Sequence, residues 1–90
     1  MKYVVFESRG LGVATVFDSL IDHNGMVNQF AVVLGAGECS ISATSNEIEV
    51  GSCIMNDIDV HCYGKSVTLN KSSRGDEDAK IIKKMLMRVS

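Results

Sequence analysis

The chain has 90 residues, a net charge of −2, 46% hydrophobic and 22% charged residues. That length makes one domain with a core of limited size, and the slight acidity gives no support for binding nucleic acid, where a basic excess is expected. No apolar run approaches the roughly 18–20 residues that a membrane-crossing helix needs, and three cysteines without close pairs fit a reducing compartment better than a disulfide framework.

The opening Met1-Lys2-Tyr3-Val4-Val5-Phe6-Glu7 is too short an apolar stretch for a signal peptide. The expectation is a complete, cytoplasmic, single α+β domain spanning 1–90. Lys2 to Phe6 is apolar on both faces and reads as a buried strand. Two glycines then break the chain, and Val13 to Phe17 follows as a second strand able to pair with the first. Within Asp18 to Phe30, the residues Leu20, Ile21, Met26, Val27 and Phe30 suit the inner face of a short helix near 23–29, which Gly25 weakens. Ala31 to Leu34 reads as another buried strand. Gly35-Ala36-Gly37 marks a bend or bulge as that strand runs on.

From Glu38 to Leu69 the pattern alternates with period two. Cys39, Ile41 and Ala43 point one way, followed by Ile48 and Val50, then Ile58, Val60 and Cys62, then Val67 and Leu69. Thr44-Ser45-Asn46 and Gly64-Lys65 look like hairpin turns. The reading is an antiparallel meander of five to six strands, one face wet and one dry. The last segment is a helix capped by Ser73, with Asp76, Glu77 and Asp78 in its first turn and Lys83, Lys84 and Arg88 towards its end. Its stripe of Ala79, Ile82, Met85, Leu86 and Val89 is expected to lie on the dry face. One helix covers one face only. The apolar surface around Tyr3, Val5, Phe17 and Val33 is therefore the expected interface of a homodimer or small homo-oligomer. The competing expectation is that the middle helix fills that face.

Few residues carry chemistry. The two G-x-G triplets lack the third glycine of a dinucleotide site. Cys39, Cys53, Cys62, His23 and His61 contain no C-x-x-C or C-x-x-H pair, so no metal site is expected. His61 and Cys62 are neighbours on a strand and face opposite ways, which excludes a nucleophile–base dyad. Asp57 and Asp59, two apart, could share a face as an acid/base pair, but turn and wet-face aspartates are common. Arg74-Gly75-Asp76 spells an adhesion tripeptide at the start of a helix and reads as coincidence. The best candidate for a ligand site is the segment Lys65, Ser66, Lys71, Ser72, Ser73 and Arg74, whose cations, hydroxyls and backbone N–H groups could cradle an anion. The acidic first turn of the helix opposes that.

Gly64, Ser66, Leu69, Ser73-Arg74, Asp78-Ala79 and Ile82, with the opening Lys2 to Glu7, resemble a pattern in short uncharacterised proteins of phages, prophages and bacteria. The resemblance implies a small accessory protein and carries no activity or site. The functional expectation is a non-catalytic binding protein without a cofactor, acting through protein–protein association, with a host protein as one partner. The alternative is a protein that sequesters a small anionic ligand or nucleotide at 65–74. A third reading, an enzyme using Asp57, Asp59 or His61, has least behind it.

Overall fold

The computed structural model describes residues 1–26 and 32–87. Strands β1 (Lys2–Ser8), β2 (Leu11–Phe17), β3 (Val32–Val50) and β4 (Cys53–Tyr63) form one antiparallel sheet in the order β2-β1-β3-β4. A second, two-stranded sheet pairs β5 (Lys65–Ser66) with β6 (Lys71–Ser72), and helix α1 (Asp76–Leu86) follows. The fold is α+β and antiparallel, as the alternation implied. The large sheet has four strands rather than five or six.

The difference lies in what the polar triplets do. Thr44-Ser45-Asn46, expected to be a hairpin turn, is a bulge inside β3. Ala43 pairs with Ile58 and Glu47 with Asn56, so three β3 residues face Asp57 alone. The Asn46 N–H donates to Thr44 Oγ1 at 3.2 Å, which satisfies part of the broken ladder locally. Period-two alternation marks a pleat, and a strand that bulges and continues reads the same as two strands joined by a turn. Ala43, expected inward, sits at the bulge and is exposed. The reversal comes instead at Gly51-Ser52. Val67 and Leu69 belong to a turn over 67–70 rather than to a strand, and the chain leaves the sheet at Gly64, where φ is +77°.

The hairpin of β1 and β2 closes through Arg9 and Gly10, both with positive φ, the signature of a type I′ turn. β1 lies between β2 and β3, and it is apolar on both faces because each face is covered by a packed layer. Tyr3 and Val5 join Ala14, Cys39 and Ile82 in one core cluster, beneath α1. Val4, Phe17 and Ala36 form a second cluster on the opposite face, with Phe6, Val33 and Leu69 packed against it. That second face is closed by the chain itself. A 3₁₀ turn at His23–Met26 brings the His23 ring edge-on to Phe17 with centroids 5.5 Å apart, and the turn of the β5–β6 hairpin brings Leu69. The expected interface residues are therefore core: Tyr3 and Val5 are fully buried, Phe17 is buried and Val33 is half-buried. The short helix expected near 23–29 is present only as this single 3₁₀ turn. Its remaining positions, with Val27, Phe30 and Ala31, lie outside the described residues.

The Gly35-Ala36-Gly37 triplet does lie in a bulged strand. The β1–β3 register shifts between Val5 and Phe6, which leaves Leu34 extra on β3. The glycines serve a further purpose. A Cβ at Gly35 would stand 2.2 Å from Asp78 Oδ2, and one at Gly37 would stand 2.4 Å from the Tyr63 carbonyl oxygen. Helix α1 thus approaches the β3 backbone directly through Asp78. The helix buries Asp78, Ala79 and Ile82, while Met85 and Leu86 from the expected stripe are exposed. Only the first turns of α1 lie over the sheet, and Arg88 and Val89 fall outside the described residues. Among the described residues no helix is long and apolar enough to cross a membrane.

Candidate functional site

The six residues of the expected anion site do not converge. Lys65 pairs with Ser72 and Ser66 with Lys71 in the small hairpin. The Ser66 side chain is buried, and its Oγ accepts from the Leu69 N–H at 3.3 Å and bonds Thr68 Oγ1 at 3.2 Å. It therefore holds the 67–70 turn. Lys65 and Ser66 line an open cleft of about 480 Å³ with Lys2, His23, Asp22 and Glu38. His23 Nε2 donates to the Gly37 carbonyl at 2.8 Å, and the Lys2 ammonium donates to the Ile21 carbonyl at 3.1 Å. Two carboxylates on the rim oppose the cations, so the cleft does not select an anion.

Ser73 and Arg74 belong to a different structure, the junction of α1 with the sheet. The sequence suggests Ser73 as the helix cap, yet the residue in the N-cap position is Gly75 and no side chain caps it. Ser73 Oγ instead accepts from the Gly75 N–H at 3.0 Å. The fully buried Asp78 reaches back over the first turn. Its Oδ2 accepts from Tyr3 Oη at 2.6 Å and from the Arg74 N–H at 2.9 Å, and its Oδ1 accepts from Arg74 Nε at 2.7 Å. The lone phenolic proton goes to the carboxylate, which can only accept, so the Ser73 hydroxyl at 2.7 Å donates to Tyr3 Oη. Burial and the bond to Asp78 push the Tyr3 hydroxyl well above its ordinary value. Arg74 also pairs with the exposed Glu77 at 3.3 Å. Its Nη1 and Nε are thus taken by two carboxylates, its Nη2 is buried without a hydrogen-bond partner among the described residues, and the helix N-terminus faces Asp76 and Glu77. This junction is structural: its hydrogen bonds hold the start of α1 to β1. The sequence groups Asp78 with Asp76 and Glu77 as first-turn acids that complement the helix dipole, and does not single it out. The signal available was its spacing of four from both Arg74 and Ile82.

The remaining surface is the ribbon of β3 and β4 beyond β1. β1 pairs with β3 only from Val32 to Glu38, whereas β4 pairs from Glu38 to Val50. On the side facing α1, Ile41, Val60 and Cys62 pack against the core. On the other side, Ser40 and Ser42 of β3 and Asp59, His61 and Tyr63 of β4 are exposed, and beyond the bulge Glu47, Glu49, Ile54 and Asn56 are exposed as well. β4 is the edge strand, and no strand of the described residues pairs with its outer side. Between Val32 and Gly64 lie Glu38, Glu47, Glu49, Asp57 and Asp59 and not one Lys or Arg.

The bulge also separates the two aspartates. Asp57 turns towards the helix, where Lys83 Nζ binds its Oδ1 at 3.0 Å, while Asp59 is exposed on the outer face. They do not form an acid/base pair. The Lys83 contact, aided by the Ile58 N–H, holds the Asp57 carboxyl below its usual range. Among the described residues no three His, Cys, Asp or Glu side chains gather as a metal site. One pairing escaped the spacing argument: Cys39 and Cys62 are direct cross-strand partners with both thiols towards the core. Burial pushes the Cys62 thiol up to about 11, with further contributions from Cys39 and Asp78. Comparison with known proteins yields no match to any family model, curated protein or solved structure.

Proposed function

We propose that the protein is a non-catalytic binding module that acts by protein–protein association, and that the outer face of the β3–β4 ribbon is the surface it presents. The observation that supports this reading is the contrast between the two halves of the sheet. Around β1 the chain covers both of its own apolar faces. Along the ribbon it leaves apolar side chains uncovered, with Ile54 68% and Tyr63 46% exposed. A long, uncovered edge strand is a template for association unless it is blunted, and β4 runs for 11 residues. The resemblance to phage and prophage proteins fits an accessory role in which a host protein is the target.

The test is comparative capture. Tagged protein, an Ile54→Lys/Asp59→Lys ribbon variant and a Lys65→Ala/Thr68→Ala cleft variant are presented to host extract. The expected result is a defined protein retained by the parent and the cleft variant and lost by the ribbon variant. Retention by the ribbon variant would refute the reading. A second reading, a small anionic ligand in the cleft beside Lys2 and Lys65, has the rim carboxylates Asp22 and Glu38 against it. A nucleotide panel that raises the melting temperature of the parent but not of the Lys65→Ala variant would establish it in place of the first.

A further inference from the structure

We infer that the outer edge of β4 accepts an extended, lysine- or arginine-bearing peptide segment as an added fifth strand. This rests on the association reading above and names the chemistry of the partner. The first argument is backbone direction. The Cys39 N–H donates to the Met1 carbonyl at 2.8 Å, towards β1. In an antiparallel ladder a residue sends its N–H and C=O to the same side, so Cys39 and its partner Cys62 form a non-hydrogen-bonded pair. The polar backbone of Cys62 therefore points out of the sheet, and by alternation so does that of Val60. At Ile58 the same outward N–H is taken by Asp57 Oδ1 at 2.9 Å. The edge thus offers two N–H donors and their carbonyls, and Asp57 marks where the open stretch ends.

The second argument is charge. Asp59 is exposed on the outer face, Glu47 and Glu49 are exposed beyond the bulge, and none of the three makes an ion pair among the described residues. An added strand lies about 4.8 Å from β4 and roughly 10 Å from β3. Long cationic side chains on it reach Asp59 directly, while Glu47 and Glu49, opposite Asn56 and Ile54, lie past the end of the open stretch and add to the acidic field of the ribbon. The same charges disfavour a second copy of this chain as the occupant, because pairing two β4 edges brings two acidic ribbons together. Tyr63 lies beyond the open stretch on one side and Ile54 on the other, so apolar residues flanking the basic ones complete the fit.

The test uses isotope-labelled full-length protein and a nine-residue peptide of alternating lysine and valine, with its glutamate counterpart as control. The lysine peptide is expected to slow amide exchange at Val60 and Cys62, and the glutamate peptide to leave both unchanged. Binding should weaken several-fold in a Glu47→Lys/Glu49→Lys/Asp59→Lys variant, which loses the direct Asp59 pair and reverses the charge of the ribbon, and that variant should now take the glutamate peptide. Unchanged exchange at Val60 and Cys62 with the lysine peptide overturns strand addition, while capture lost in the ribbon variant would still uphold the association reading. Protection of these amides without peptide, growing with protein concentration, overturns the inference in favour of self-pairing. An equal response to both peptides overturns the charge requirement and with it the inference.

Discussion

Replacing Asp78 by Ala should be the most costly single change at the helix–sheet junction. The side chain is fully buried and accepts three hydrogen bonds, at 2.6 Å from Tyr3 and at 2.7 and 2.9 Å from Arg74. Removal leaves the Tyr3 hydroxyl proton and the Arg74 N–H without this acceptor, and each buried donor that loses a charged partner costs about 1.5–3 kcal/mol. The Arg74 side chain is 29% exposed and keeps Glu77, so its share is discounted for solvent. The sum is about 3–4 kcal/mol, against roughly 5–13 kcal/mol for a whole domain of this size. At about 4–8 °C per kcal/mol the melting temperature falls by at least about 12 °C. Urea and thermal melts followed by circular dichroism read this directly. Glu77→Ala is the control, because that carboxylate is 74% exposed and its pair contributes about 0.5 kcal/mol. An Asp78→Ala protein that melts within about 3 °C of the parent, or a Glu77→Ala protein that loses as much, would refute the assignment of Asp78 as the centre of the junction.

Gly35→Ala should destabilise through the same contact, because the new Cβ meets Asp78 Oδ2 at 2.2 Å; in the Asp78→Ala background most of that cost should disappear, which a double-mutant cycle measures. Mild oxidation by a disulfide reagent, in which two thiols give up two electrons and two protons to the oxidant, should link Cys39 to Cys62, and peptide mapping that places the exposed Cys53 in the intramolecular bond would contradict the register. The Cys62 thiol is raised to about 11 by burial first, so its contribution to stability is complete below the unfolded value near 8.5 and lost as pH rises towards 11; Cys62→Ala should flatten that alkaline decline in urea melts. Asp57 is lowered by Lys83, so its contribution is present above about pH 3.9 and lost as pH falls below it; Lys83→Ala should remove that acid-side sensitivity, and added salt should blunt it.

The parts of the fold written in local pattern could be read in advance. β1 is apolar on both faces because it has a layer on each side, and the glycine triplet announces a bulge because it sits in an otherwise continuous apolar strand. The helix at 76–86 carries acids at its start and lysines towards its end. What local pattern does not contain is where a strand stops. Thr44-Ser45-Asn46 has hairpin composition, and only pairing partners distinguish a turn from a bulge. The second cover shows in the sequence only as the competing expectation of a middle helix, since it consists of a 3₁₀ turn and a two-stranded hairpin too short to show any period. That error carried directly into the interface reading, which assigned Tyr3, Val5 and Phe17 to a partner when the chain's own loops cover them.

The same bulge explains why the candidate site was legible only in its composition. A stretch from Val32 to Gly64 with five carboxylates and no cation is plain in the sequence, but its meaning depends on which carboxylates share a face. Without the bulge, the pleat would place Asp57 beside Asp59. With it, Asp57 swings to Lys83 and to the Ile58 N–H, and Asp59 stays exposed on the outer face. The irregularity therefore does two things at once. It ties the ribbon to α1 through a charge pair, and it ends the run of open backbone donors on β4 at Ile58. An edge left open over Val60 and Cys62 but closed at Asp57 is bounded on one side, and a bounded edge can take a short segment in a fixed register where an unbounded one invites indiscriminate pairing.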